Sequence, residues 1–318
     1  MTTTTVLPDV QARAETILER AVCLSLRCHW LGNDRKLDLE ELVEAAHGDT
    51  PLDETQYRAT MKLIDQSELK PARREIGLTK KFLTSQAIPT PGVFGERSYL
   101  IPMARVAVVE AGLREYRVAV RAESQALAAR YAAAIARQAA ALGPRFKASL
   151  YKTPADVAAA FDIEWDYVSF DAPERLERVD QALFEESRAK YEGKMADAYE
   201  EVRIVLRASL RELTKDIVDR LRLGPDGKPK AFRGTILNGL AQYLETFSFR
   251  NITDDAALQA VVAKLQRVTA GLDVQDLRDS AQARLAVTSE MAQATALLDG
   301  LISTGRRAVT FGPVRAAV

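Results

Sequence analysis

The sequence predicts a mainly α protein, with a long antiparallel coiled-coil hairpin arm, a small α/β or helical base and a short strand-containing tip. Three observations carry that expectation. Val106, Val109, Leu113, Tyr116, Val120, Leu127, Tyr131, Ile135 and Leu142 keep steps of three, four or seven until Gly143-Pro144 stops them. A second run follows Pro173-Glu174 through Leu176, Val179, Leu183, Tyr191, Met195, Ala198, Val202, Leu206, Leu210, Leu213, Ile217 and Leu221, and ends at Gly224-Pro225. Period-2 alternation is confined to short stretches near 22–30, 161–167 and 307–311. Two helices of such length exceed the usual globular helix, so they are expected to pair with each other.

The remaining elements follow in order. Met1 to Leu7 is a Thr-rich tail, and Gln11 to Arg20 is polar and helix-compatible. Val22, Leu24, Leu26, Cys28 and Trp30 then alternate with Cys23, Ser25, Arg27 and His29, as in a half-buried strand. Gly32-Asn33-Asp34 reads as a turn and Leu37 to Ala46 as a short helix ended by Gly48. Pro51 opens another helix to about Leu69, which Pro71 restarts as far as Leu83. Pro89, Pro91, Gly92 and Gly95 mark a loop before the first long run. More than half of 126–141 is alanine, which favours helix and lets a neighbour approach closely. Past the second run, Phe232 to Phe247 is amphipathic, Thr253-Asp254-Asp255 caps a helix from Ala256 to Ala270, and Asp273 to Ile302 holds one or two more. Arg307 to Phe311 alternates and is expected to pair with the strand near Val22. The expected domains are a base at 1–100, an arm at 101–224 with its tip at 145–172, and further base helices at 225–318.

Composition narrows the function classes. The chain has 318 residues, with 44 basic and 44 acidic side chains and a formal net charge of zero. That balance removes the global attraction of sequence-independent nucleic-acid binders, so any such contact must be local. Two cysteines and two histidines leave little for a disulfide framework, a zinc module or a His-based catalytic set. The start lacks a basic region followed by an apolar stretch, and no window reaches a bilayer span, so a cytoplasmic protein without membrane contact is expected.

The chemistry-bearing motifs are few. Cys23 and Cys28 differ by an odd number on one strand and point to opposite faces, which argues against a metal site with His29 and His47. Gly224 to Lys230 lacks phosphate-loop spacing and follows a helix, and no dinucleotide, nucleophile-elbow, zinc-protease or calcium-loop motif occurs. Neither a catalytic residue, a cofactor nor a metal is therefore expected. Asp162, Glu164 and Asp166 share a strand face, where alternation alone accounts for them and a hard cation is the sharper alternative. The opposite face, Phe161, Ile163, Trp165 and Tyr167, is expected either to bury against the arm or to serve as a partner-binding anchor at its tip. Lys70, Arg73, Arg74, Lys80 and Lys81 collect on one side of a helix and form a candidate anion-binding face, with Glu68 and Glu75 interspersed in sequence.

Three stretches carry a resemblance. VCLSLRCHWLGNDRKLDLEEL, FLTSQAIP and PKAFRGTILNGLAQYLETFSFRNITDD resemble a family of unknown function from bacteria, phages and mobile elements. The resemblance implies genomic company with a MoxR-type AAA+ ATPase and a CobT-like protein with a von Willebrand A domain, and it brings no catalytic motif. It points to a non-enzymatic helical scaffold or adaptor working with those two partners in a phage or mobile-element context. The alternative is a nucleic-acid-associated accessory protein of phage or mobile-element DNA metabolism, using the Lys70 to Lys81 face. Two long stripes also leave open a homo-oligomer.

Overall fold

A computed structural model describes residues 8–37, 60–88, 98–169, 174–222, 235–272 and 274–310. These residues are mainly helical, with small sheets. Their elements are α1 (Pro8–Arg20), β1 (Ala21–His29), β2 (Asp34–Lys36), β3 (Thr60–Lys62), α2 (Gln66–Gln86), β4 (Ser98–Pro102) and α3 (Val106–Leu142). There follow α4 (Pro154–Ala158), β5 (Asp162–Val168), α5 (Glu174–Glu177), α6 (Gln181–Leu221), α7 (Thr235–Arg250), α8 (Ala256–Thr269), α9 (Val274–Asp279) and α10 (Ala281–Thr310). One sheet has the order β4-β1-β5, with β1 and β4 antiparallel in the register Ala21 to Pro102; β2 and β3 form a separate antiparallel pair.

The chain divides into two compact units, each assembled from separated segments: residues 1–25, 86–106 and 167–318 in the first, 26–85 and 107–166 in the second. This division cuts across the expected base and arm. In the first unit, Val202, Leu206, Leu210 and Ile217 of α6 are buried in one cluster with Ala14 and Ile17 of α1, Leu240 of α7, Leu258 of α8 and Met291 and Leu298 of α10. Each of these Val, Leu, Ile and Met side chains contributes roughly 1.5–3 kcal/mol over an exposed one. Asp255 locks the packing at one point. Its carboxylate accepts the Leu258 N–H at the start of α8 (3.1 Å) and two bonds from Arg207 of α6 (2.7 and 3.0 Å), while Arg207 also donates to the Leu301 carbonyl (2.8 Å). Burial raises the Asp255 pKa, but the hydrogen bonds from Arg207 and Leu258 outweigh that and hold it below the usual carboxylate value.

The second unit is built around α2 and α3. Asp65 caps α2, accepting the Ser67 N–H at 2.7 Å. The buried Asn33 side chain bonds both the N–H and the C=O of Ile64 (2.9 Å each), tying the β2–β3 pair to that start. Leu69, Ala72, Ile76, Thr79 and Leu83 of α2 are buried, as are Val109, Leu113, Val120, Leu127, Tyr131 and Ala134 of α3. Gly112 lets the Phe82 ring lie against the α3 backbone, since a Cβ there would overlap Phe82 Cζ. Ser124, buried on α3, donates to Val157 O (2.8 Å) and accepts the Phe161 N–H (3.2 Å), which fixes the entry to β5.

Several expectations change. The stripes of the two long runs are covered inside different units, that of α6 by α1, α7, α8 and α10. Periodicity shows that a helix face is buried without naming what buries it. The second run begins at Gln181, where Asp180 accepts the Ala182 and Leu183 N–H groups, and not at Pro173. Thr60–Lys62 is a strand and α2 starts at its Asp65 cap, so Pro71 lies inside a helix and does not restart one. Arg307 to Thr310 belong to α10, and β1 has β4 and β5 as neighbours. The helices expected at 38–46 and 51–59, the loop at 89–97 and the turn at 224–230 lie outside the described residues.

Candidate functional site

The site begins with the helical wheel of α2. At 100° per residue, Lys70, Arg73, Arg74, Lys80 and Lys81 fall within an arc of about 120°, opposite and beside the buried Leu69, Ile76 and Leu83. Lys70, Arg74, Lys80 and Lys81 are exposed and Arg73 is half-buried. Glu68 and Glu75, interspersed in sequence, lie on the other flank. Glu68 is engaged there by two arginines of α3, Arg130 at 2.9 Å and Arg137. Among the described residues no carboxylate pairs with Lys70, Arg73, Arg74 or Lys81. The acid nearest in its effect is Asp65. Its pKa is lowered chiefly by hydrogen bonds from Ser67, with the Lys70 and Arg137 charges adding to that.

One aromatic ring flanks this arc. Trp30, just past the end of β1, is 45 % exposed, and Lys80 Nζ stands 5.6 Å from its ring centroid. Phe161 meets the indole edge-on, with ring centroids 6.3 Å apart and planes at 77°. Cations with an exposed aromatic beside them suit a phosphate-rich ligand.

The other predicted residues separate. Phe161 and Ile163 are fully buried and have no surface to offer a partner, which corrects the anchor expected there. The reason is topological: β5 lies beside β1 in a sheet, so its inward face is core. Trp165 is half-buried, donates Nε1 to Glu110 (2.8 Å) and has the Arg117 guanidinium 5.9 Å from its centroid. Tyr167, which falls in the first unit, is exposed.

The strand carboxylates are bound by arginines. Asp162 accepts from Arg117 (3.0 and 2.9 Å) and Arg121 (3.1 and 2.7 Å), and Arg27 reaches Asp166 at 2.7 Å and Glu164 at 3.5 Å. Burial raises the Asp162 pKa, but the hydrogen bonds from Arg117, Arg121 and the Ile163 N–H overcome it and hold the group well below the ordinary carboxylate range. No cluster of His, Cys, Asp or Glu suited to a metal occurs among the described residues. Cys23 is buried, which pushes its thiol pKa up and away from nucleophile chemistry; Cys28 is half-buried.

Sequence reasoning found the cations and missed Trp30, which it placed on the apolar face of β1. Alternation alone carries no sign that β1 stops at His29, so by pattern Trp30 reads as the next inward residue. No helix among the described residues is long and apolar enough to cross a membrane. No family model, no curated protein and no solved structure matches this chain.

Proposed function

We propose that this chain is a non-enzymatic, nucleic-acid-associated accessory protein that grips phosphates with the outer face of α2. The observation that carries the proposal is the separation of charge on that helix, with its cations on one arc and Glu68 turned to the arginines of α3. A cation already held by a carboxylate has little left for a phosphate. Lys70, Arg73, Arg74 and Lys81, which no carboxylate holds among the described residues, supply a local field despite a net charge of zero. Fluorescence anisotropy with a labelled mixed-sequence oligonucleotide across a salt series tests it. The charge-reversal variant Lys70→Glu/Arg74→Glu/Lys81→Glu is expected to bind weakly and to flatten the salt slope, by about 0.9 for each duplex phosphate that is no longer neutralised. Undetectable binding by the parent protein at low salt, or unchanged binding by the variant, ends this proposal.

A second reading, the adaptor between a MoxR-type AAA+ ATPase and a von Willebrand A protein, is favoured by a different observation. The apolar stripe is exposed where α6 begins: Val179 is 82 % exposed and Leu183 is also exposed, although the later part of the stripe is buried. A protein partner, a second copy of this chain or the expected antiparallel coiled coil would use these turns, because α1, α7, α8 and α10 occupy the remainder. Val179→Ser/Leu183→Ser should then remove co-purifying protein partners in a nuclease-treated preparation while leaving the melting temperature nearly unchanged. Retention of the same partners refutes it.

A further inference from the structure

We infer that the nucleic acid taken by this face is single-stranded, with one unpaired base stacked on Trp30 while the cations of α2 hold the flanking phosphates. This rests on the phosphate-gripping role proposed for α2 and adds to it the form of the ligand. The indole is 45 % exposed and fixed, since Phe161, itself fully buried, meets it edge-on at 6.3 Å. A ring already held in place loses little freedom when a base lands on it. Lys80 connects the ring to the charged arc. Its Nζ lies 5.6 Å from the Trp30 centroid, and Arg73 is two helical turns away on the same flank of α2, about 10 Å along the axis.

Cations alone would take single strands and duplexes alike, because both present phosphates. The ring separates the two. In a duplex the base faces are covered by their neighbours, so an indole beside the backbone finds nothing to stack on. An unpaired strand offers a free face at every nucleotide, and stacking tolerates any sequence because every base has a π-face. The indole N–H has no hydrogen-bond partner among the described residues, so it is free to follow a sugar or base edge as the ring is covered.

The test uses the two tryptophans of the full-length chain, Trp30 and Trp165. In a Trp165→Phe background Trp30 is the only indole emitter, and the protein is titrated at low salt with oligodeoxythymidylate or a mixed-sequence duplex, each about twenty nucleotides long. The single strand is expected to quench the emission and the duplex is not. In the otherwise native chain, Trp30→Ala should weaken the single strand roughly ten- to hundredfold and leave the duplex affinity unchanged, with Trp30→Phe in between. Should Trp30→Ala disturb folding, the quenching and the Trp30→Phe affinity decide alone. Single-strand binding without quenching, or equal loss for both ligands, overturns this inference and leaves the role of the α2 cations standing. If neither ligand binds the parent protein, that role falls and this inference falls with it.

Discussion

Arg114, Arg117, Arg121, Arg130 and Arg137 of α3 each meet a carboxylate, whereas Lys70, Arg73, Arg74 and Lys81 of α2 meet none among the described residues. The two helices belong to the same unit and carry the same kind of charge. On α3 the charge is used internally: Asp162 brings β5 to Arg117 and Arg121, and Glu68 brings α2 to Arg130 and Arg137. On the outer arc of α2 it stays hydrated and uncancelled. Net charge therefore says little about this molecule, because sorting of charge between two helix faces makes a local cationic surface in a neutral chain.

The largest effect should come from the most buried example of the paired kind. Asp255 is 2 % exposed as a side chain, so Asp255→Ala leaves Arg207 uncompensated in the first unit and should cost about 3–5 kcal/mol in denaturant unfolding. Next comes Asp162→Asn, which weakens four charged hydrogen bonds and should cost about 1–3 kcal/mol. Its pH signature is specific. The folded-state pKa of Asp162 lies below the unfolded value of about 3.9, so its contribution is fully present above that value and is lost as the pH falls toward the folded pKa. Melting temperatures measured from pH 6 downward should drop less steeply in Asp162→Asn than in the parent. Arg137→Ala, which removes a largely exposed guanidinium and leaves Glu68 paired with Arg130, should cost no more than about 1 kcal/mol. The smallest change per site belongs to Lys70→Glu/Arg74→Glu/Lys81→Glu, where each substitution should shift stability by no more than about 0.5 kcal/mol. If that triple variant destabilises as much as Asp162→Asn, the outer arc of α2 is structural after all and the contrast between the helices disappears.

Local signals survive folding where they are self-contained. The bounds of α3 follow from its stripe and from Gly143, which has a positive φ of 54° ahead of Pro144. The start of α8 follows from its run of capping residues. What a sequence cannot supply is the identity of partners. The stripe of α6 has the same period whether a coiled-coil mate or α1 and α10 cover it. Alternation in β5 separates Phe161, Ile163, Trp165 and Tyr167 from the acids, yet the burial of the first two follows from β1 lying alongside, a pairing distant in sequence. The cations of α2 are legible from spacing. Glu68 and Glu75 look interspersed only because order along the chain differs from angle around the helix.

The interleaving of segments in the two units also sets a timetable for synthesis. The second unit has all its residues once the chain has been made to 166, and it can close early. The first cannot: Ala14 and Ile17 of α1 are buried in a cluster with residues of α6, α7, α8 and α10, and α6, on which α1 packs, is translated much later. At roughly 5–20 residues per second that apolar face waits on the order of ten seconds or longer for its cover. A nascent chain halted once β5 has cleared the ribosome should therefore carry a finished second unit and an unsatisfied α1, the state in which a chaperone has most to hold.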